Sequence, residues 1–212
     1  ALKTWGATAA NDRQAALETY ADLLEEHADA FMSLLTREQG KPRAGAEWEV
    51  LGSVAWLRAV ASQRLPDEVV EDTDERRVVT RFTPVGVVGA IVPWNFPILL
   101  AIWKIAPALM SGSTMILKPS PYTPLCNLKL VELAQQAFPP GVISALSGGD
   151  DLGVWMTTHP EINKIAFTGS TETGRHVMKS ASATIKRVTL ELGGNDPAIV
   201  LPDVDAKALA PQ

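Results

Sequence analysis

The sequence contains very little of what builds disulfides and metal sites. Cys126 is its single cysteine, and its three histidines are scattered at His27, His159 and His176. One cysteine excludes an intramolecular disulfide framework and fits a reducing compartment. Because no CxxC or HExxH pattern occurs, the sequence predicts no metal site.

The chain also lacks a long apolar run and an excess of basic charge. Its most apolar stretch, Pro97 to Met110, is interrupted by Lys104 and Pro107 and is shorter than the about 20 residues that span a bilayer. With 19 Lys and Arg against 24 Asp and Glu, the net charge is -5 and no basic stripe is present. We therefore expect no nucleic-acid partner and no membrane partner.

The chain begins ALKTWGATAANDRQ, with neither a positively charged leader nor a signal cleavage pattern. We expect a cytoplasmic protein, with a removed organellar leader as the alternative. Hydrophobic residues make up 46% of the 212 residues, which is enough to bury the core of one large domain or two small ones.

Helical periodicity dominates the first 65 residues. Apolar residues recur at helical spacing from Asn11 to Glu38, and QGKP then supplies a glycine stop, so we predict one long helix or two. The following stretch continues this period and places Trp48, Leu51 and Ala55 along one stripe, which predicts that these side chains lie in the core.

The segment RLPDEVVEDTDERRVVTRFTPVG differs in character, since proline and acidic residues interrupt the helical pattern. It is typical of a hairpin or arm, or of a solvated connector. After Val85, short apolar runs alternate with helical segments. That alternation predicts an α/β domain, in which helices cover both faces of a parallel sheet.

The stretch KIAFTGSTETG ends a predicted strand at Phe167 and opens a helix with small residues. Glycine there permits close backbone approach, Ser170 can cap the helix, and the free N–H groups at the helix start favour a phosphate. Because the GxGxxG fingerprint is absent, a pyrophosphate site and an ordinary strand-to-helix turn both fit this stretch.

Two further residues lie at predicted strand ends. Asn95, in VPWNFP, could donate from its amide to a developing oxyanion, or serve only as a turn asparagine. Glu191, in LELGG, would suit general-base work if partial burial raised its pKa. The alternative for Glu191 is a strand-end carboxylate paired with a surface cation.

Taken together, IVPWNFP, LKPSPYTP, FTGSTETG and TLELGG closely resemble the aldehyde dehydrogenase superfamily in order and spacing, over nearly the whole chain. The resemblance implies an α/β fold with a variant Rossmann-type parallel sheet, N-terminal helices and a β-hairpin arm. It implies NAD or NADP as cofactor. It also implies oxidation of an aldehyde substrate to the acid, through attack by a cysteine thiolate and hydrolysis of a thioester.

The resemblance assigns roles residue by residue. Asn95 matches the oxyanion donor and Glu191 the carboxylate that activates the hydrolytic water. Lys118 matches the lysine that holds the adenosine ribose, while Gly149 and Gly153 match positions beside the adenine. The complete set of implied cofactor positions is Ile91, Val92, Pro93, Trp94, Lys118, Ser120, Pro121, Gly149, Gly153, Phe167, Thr168, Gly169, Ser170, Thr173, Leu192 and Gly193.

The resemblance also divides the chain into four parts. Residues 1–65 are the helical part of the cofactor domain, 66–84 the arm through which members associate, 85–191 the NAD(P)-binding domain, and 192–212 the start of a catalytic domain. The family polypeptide is more than twice as long as this chain, and the implied assembly of the full-length protein is a homodimer or homotetramer.

Three departures from the family pattern stand out. Pro121 replaces the glutamate that many NAD-preferring members carry, so NADP is expected to be tolerated, and Thr173 replaces an apolar residue near the adenine. The nucleophilic cysteine of the family lies a few dozen residues beyond Glu191, where this sequence has already stopped. Cys126 lies on the apolar face of a helix predicted to start at Thr123 and Pro124, which favours a buried structural role. The alternative function is therefore a non-catalytic protein that binds nucleotide or an oligomer partner.

Overall fold

A computed structural model describes residues 1–209 of the chain. Its helices are α1 (Leu2–Ala7), α2 (Ala10–Glu26), α3 (Ala28–Gln39), α4 (Arg43–Ala61), α5 (Pro97–Met110), α6 (Pro124–Ala134), α7 (Asp150–Thr158), α8 (Thr171–Ser182) and α9 (Ala206–Leu209). Its strands are β1 (Glu68–Asp72), β2 (Arg77–Thr80), β3 (Val87–Ile91), β4 (Thr114–Lys118), β5 (Ile143–Ala145), β6 (Lys164–Gly169) and β7 (Arg187–Leu192).

Five of these strands form one parallel sheet in the order β5-β4-β3-β6-β7. The chain adds β4 and β5 on one side of β3, then crosses to add β6 and β7 on the other side. This order confirms the predicted Rossmann-type α/β fold. It places a topological switch point between β3 and β6, where open parallel sheets bind ligands beyond the carboxyl ends of the strands.

Each face of the sheet has its own core. Val88 and Ala90 of β3 belong to the large cluster that α2 to α6 complete. Residues of opposite parity, such as Ile165 and Phe167 of β6, pack with Met156 of α7 and Val177 of α8. Successive strand residues point to opposite faces, and apolar residues occupy both sets of positions. Both faces of the central strands are therefore apolar, as is typical of parallel sheets.

The stretch from Asn11 to Glu38 forms two helices and not one, because α2 ends at Glu26 and α3 begins at Ala28. The predicted glycine stop is confirmed: Gly40 has a left-handed φ of 82° and its N–H donates to the carbonyl of Thr36 at 3.0 Å. A residue with a side chain is strained at this φ, whereas glycine is not.

The predicted core stripe on α4 was wrong. Trp48 is 62% exposed, and Leu51 and Ala55 are exposed as well. The buried stripe of α4 is instead Ala46, Val50, Val54, Leu57 and Ala61. Both stripes have helical spacing, so periodicity alone could not choose between them, and the smaller side chains pack closely against neighbouring helices.

Residues 68–80 form the predicted hairpin. Strands β1 and β2 pair antiparallel, with a register irregularity between Val69 and Glu71. The hairpin lies apart from the five-stranded sheet, and Val69, Val70 and Val78 are exposed on it.

Cys126 is buried in α6, as predicted, but the start of that helix is capped differently from the prediction. Thr123 is the N-cap residue, yet its side chain makes no capping hydrogen bond. The carboxylate of Glu38, from α3, accepts hydrogen bonds from the N–H groups of Leu125 and Cys126 instead. Among residues 1–209, no helix is both long and apolar enough to cross a membrane.

Candidate functional site

A cleft of about 460 Å³ opens at the switch point between β3 and β6. Strand register explains why distant residues meet there: Ile91 is aligned with Lys118 of β4 on one side and with Phe167 of β6 on the other. The carboxyl ends of the parallel strands therefore bring these three residues to one edge of the sheet.

Most of the predicted cofactor positions line this cleft. They are Ile91, Val92, Pro93, Trp94, Lys118, Ser120, Pro121, Gly153, Phe167, Thr168, Gly169, Ser170 and Thr173. The sequence did not single out other lining residues, including Asp150, Val154 and His176. These three lie on the helices that follow the strands, where helical periodicity does not distinguish a lining position from an ordinary exposed one.

The floor of the cleft is the turn from β6 into α8. The Ser170 hydroxyl accepts a hydrogen bond from the N–H of Thr173 at 3.1 Å, which confirms the predicted cap. A Cβ at Gly169 would lie 2.5 Å from the ring of Phe167, so only glycine fits there without rearrangement. The turn thus presents bare backbone beside a helix N-terminus, which suits a phosphate group.

Lys118 supplies the positive charge at the adjoining end of β4. Its side chain is almost completely buried, and this burial lowers the pKa of the ammonium group. The nearby carboxylate of Asp150, in the first turn of α7, acts in the opposite direction. The cleft therefore combines one cation, one anion and an amide-rich turn, a donor set that fits a polar ligand carrying phosphates and hydroxyls.

Three predicted cofactor positions lie outside this cleft. Gly149 is the N-cap residue of α7, and Gly193 has open space where a side chain would project. Leu192 packs closely on Gly174 of α8, since a Cβ at Gly174 would lie 2.5 Å from it. The structure does not bring these three to the cleft walls.

Glu191 lines a second pocket, of about 670 Å³, on the α5 side of β6 and β7. The expected partial burial of Glu191 is wrong for this chain, because its side chain is exposed. The pocket is also lined by Trp56 and Trp103, whose ring centroids are 5.4 Å apart. Thr168 lines both pockets, so both cavities border the end of β6.

Lys104 also lines this second pocket, and it was not among the site residues predicted from the sequence. It projects from the apolar helix α5, and its ammonium group donates to the Thr168 hydroxyl at 2.6 Å. Burial lowers the pKa of Lys104 from 10.5 to about 8, with the charge of Glu191 opposing that shift. The available signal in the sequence is a single lysine within an otherwise apolar helix.

Asn95 lies in the loop between β3 and α5, and its side chain is exposed. Its backbone carbonyl accepts hydrogen bonds from Lys41 at 2.8 Å and from Gln39 at 3.4 Å. An amide at this position is free to donate to a ligand oxygen. Within residues 1–209, no group of three or more His, Cys, Asp or Glu side chains is placed to hold a metal ion.

This architecture is shared with known proteins. The model of the aldehyde dehydrogenase family matches residues 1–212. Aldehyde dehydrogenase LUC3 of Fusarium sp is 49% identical over 211 residues, which cover 100% of this chain and 44% of that protein. The chain therefore spans less than half the length of this curated relative.

Two solved structures are similar in fold. Betaine aldehyde dehydrogenase of Staphylococcus aureus, in complex with NAD+, superposes with a TM-score of 0.92 and 34% identity, over 96% of this chain and 41% of that one. An NADP-dependent enzyme of E. coli superposes with a TM-score of 0.88 and 39% identity, over 92% of this chain and 41% of that one.

Proposed function

This chain belongs to the aldehyde dehydrogenase family, and from that premise we propose that it is the N-terminal portion of an enzyme that oxidises an aldehyde to a carboxylic acid with NAD or NADP. The observation that carries the proposal is the cleft at the switch point of the sheet. It gathers residues from β3, β4, β6 and α8 that are far apart in sequence and that suit a dinucleotide chemically.

The residues of the cleft divide the work of holding the cofactor. We assign the buried polar side chains of Lys118 and Ser120 to the ribose hydroxyls, and the N–H groups of the turn at Gly169 and Ser170 to the pyrophosphate. Ile91, Val92 and Phe167 provide apolar walls. When bound, the nicotinamide supplies the hydride acceptor of the oxidation.

Asn95 and Glu191 carry the remaining chemistry. The exposed amide of Asn95 donates a hydrogen bond to the carbonyl oxygen of the aldehyde as negative charge develops there. Glu191 lines the pocket that contains Lys104 and accepts a proton from the water that releases the acid. Because the pKa of Lys104 is about 8, the positive charge beside this carboxylate is lost as the pH rises through that value.

The nucleophile is proposed to lie outside residues 1–212. Burial raises the pKa of the Cys126 thiol strongly, and the carboxylate of Glu38 adds to that shift. A buried thiol held in its neutral form is a poor nucleophile. Cys126 also lies on α6, which contributes no lining residue to either pocket.

Cofactor preference depends on two positions near Lys118. Pro121 leaves no carboxylate to repel a 2′-phosphate, which favours tolerance of NADP. The structure adds Asp150, whose carboxylate lines the same cleft and interacts with Lys118. We propose that Asp150 partly restores the preference for NAD.

The hairpin of residues 68–80 is proposed as the contact through which the full-length protein forms a homodimer or homotetramer. Exposed valines on a two-stranded sheet with free edges are suited to pairing with another chain. Cytoplasmic localisation stays a prediction from the sequence.

Glu191→Gln in the full-length parent tests the proposed chemistry. The first NADH should form at nearly the normal rate, while steady-state turnover falls about 10²- to 10⁴-fold, because glutamine cannot accept the proton of the hydrolytic water. Rapid-mixing absorbance would show a burst followed by little turnover. Cys126→Ser is the control and should keep turnover within about three-fold, since its sulfur is buried.

Unchanged steady-state turnover in Glu191→Gln would contradict the assignment. A parent protein that binds NADH but oxidises no aldehyde would instead support the non-catalytic alternative.

A further inference from the structure

A buried ion pair lies behind the loop that carries Asn95. Glu49 of α4 has no solvent-accessible surface, and its carboxylate pairs with the ammonium group of Lys41, which is itself only 10% exposed. Burying two charges is costly, and an apolar pair of similar volume often gives equal or higher stability. We therefore expect this ion pair to do more than stabilise the fold.

The carboxylate of Glu49 holds the first turn of α5. Phe96 occupies the N-cap position, where it offers no capping side chain, and Pro97 has no N–H group. One Glu49 oxygen accepts hydrogen bonds from the N–H groups of Ile98 at 2.8 Å and Leu99 at 3.2 Å. A carboxylate from a different helix thus satisfies the free donors that α5 leaves at its start.

Lys41 holds the residues just before this turn. Its ammonium group donates to the backbone carbonyl of Asn95 at 2.8 Å and lies 3.7 Å from the centroid of the Phe96 ring. Gly40 directly precedes Lys41 and ends α3 in a left-handed conformation, which turns the chain so that Lys41 reaches this position. The ion pair therefore contacts the chain on both sides of Pro97: Lys41 before it and Glu49 after it.

We propose that Lys41 and Glu49 are positioning residues that fix the backbone of Asn95, so that its amide points at the developing oxyanion. The inference rests on the proposed function of Asn95. The Asn95 side chain is exposed, so the hydrogen bonds to its backbone carbonyl, of which that from Lys41 is the shorter, are the contacts that constrain this residue. A displacement of about 1 Å at a reacting group can cost about 100-fold in rate.

The test is a double-mutant cycle in the full-length parent enzyme. Lys41→Met should lower kcat about 10- to 100-fold, while the KM for aldehyde and the Kd for NADH change less than about three-fold. Asn95→Ala should lower kcat about 10²- to 10³-fold. In the Asn95→Ala background, Lys41→Met should cause less than about a three-fold further loss, because the group that it positions is already absent.

Two further variants make the cycle decisive. Glu49→Gln preserves shape but removes the charge, and it should reproduce the loss in kcat and its dependence on Asn95. Arg43→Met is the matched control. Arg43, at the start of α4, forms an exposed ion pair with Asp29 of α3, so kcat should not change. Tm and far-ultraviolet circular dichroism would show which variants fold.

The outcomes separate the two claims. Full losses that multiply in the double variant would overturn the inference and leave a purely structural ion pair. If Asn95→Ala lowers kcat but Lys41→Met and Glu49→Gln do not, the inference alone fails. If Asn95→Ala leaves kcat unchanged, the proposed role of Asn95 fails and the inference fails with it.

Discussion

The two faces of β6 and β7 differ sharply in what covers them. On one face, Ile165 and Phe167 are buried under α7 and α8, with Val188 and Leu190 packed against the same cluster. On the other face, α5 packs on β3 and β4 but leaves Thr189 and Glu191 exposed beside an open pocket. The proposed cofactor cleft adjoins the covered face, and the proposed base lies on the open one.

This difference separates the proposed cofactor cleft from the pocket that contains Glu191. The strand ends and the covered face provide this proposed cleft with the apolar wall at Phe167, with Lys118 and with the turn that Ser170 caps. The open face carries the exposed Glu191 beside the partly buried Lys104. Under the proposed function, cofactor binding would depend mainly on the residues of this cleft, and hydrolysis of the thioester on the open face that carries Glu191.

Alanine substitutions on the two faces would give the largest contrast. Ile165→Ala, on the covered face, should lower the free energy of unfolding by about 2–5 kcal/mol, because it leaves a cavity between β6 and α7. Thr189→Ala, on the open face, should change it by less than about 0.5 kcal/mol. Urea denaturation of the 212-residue chain would measure both values. Similar losses for both variants would show that the open face is covered in solution.

Lys104→Met should raise stability at pH 7 by about 1–2 kcal/mol, because burial disfavours the charged ammonium group. The folded-state pKa of about 8 lies below the ordinary 10.5, so the unfolded chain binds more protons between these pH values. The stability of the original chain therefore rises with pH across this window, and the advantage of the methionine variant should disappear there. Lys179→Met, at an exposed position on α8, is the control.

A constant difference between Lys104→Met and the original chain from pH 7 to pH 10.5 would contradict the lowered pKa. Denaturation curves at four or five pH values would be sufficient to decide.

Changes at the cofactor cleft should be smaller and selective. Asp150→Asn should improve NADPH binding relative to NADH by about 3- to 10-fold, about 1 kcal/mol, because it removes a charge that repels a 2′-phosphate. Pro121→Glu should shift the ratio in the opposite direction. Fluorescence titration with both reduced cofactors measures the ratio directly. Asp151→Asn is the control, since Asp151 does not line the cleft, and an equal effect there would remove the assignment to Asp150.

The sequence predicted the sheet well because its strands are short, buried and separated by helices with clear starts. Pro97 and Pro124 both begin helices as expected, and Ser170 caps α8. It failed on α4, where two apolar stripes compete and only the neighbouring helices decide which one is buried. Tertiary caps were also missed, because Glu38 acts on a helix more than 80 residues away.

For the candidate site, motif residues at strand ends could be placed, since parallel register brings strand ends together. Lys41, Glu49 and Lys104 could not, because each depends on contacts with segments more than 40 residues away, which leave no local sequence pattern. Glu191 shows the reverse limitation: its motif was recognised, but the burial expected for it depends on neighbours that residues 1–209 do not provide.

Thr168, whose hydroxyl accepts from Lys104, belongs to the walls of both cavities. An engineer who alters cofactor preference at the end of β6 would therefore also disturb the amine that faces Glu191. Asp150 on α7 lines only the cofactor cleft. Redesign of the proposed cofactor preference should therefore begin from α7, where a substitution leaves Lys104 and Glu191 undisturbed.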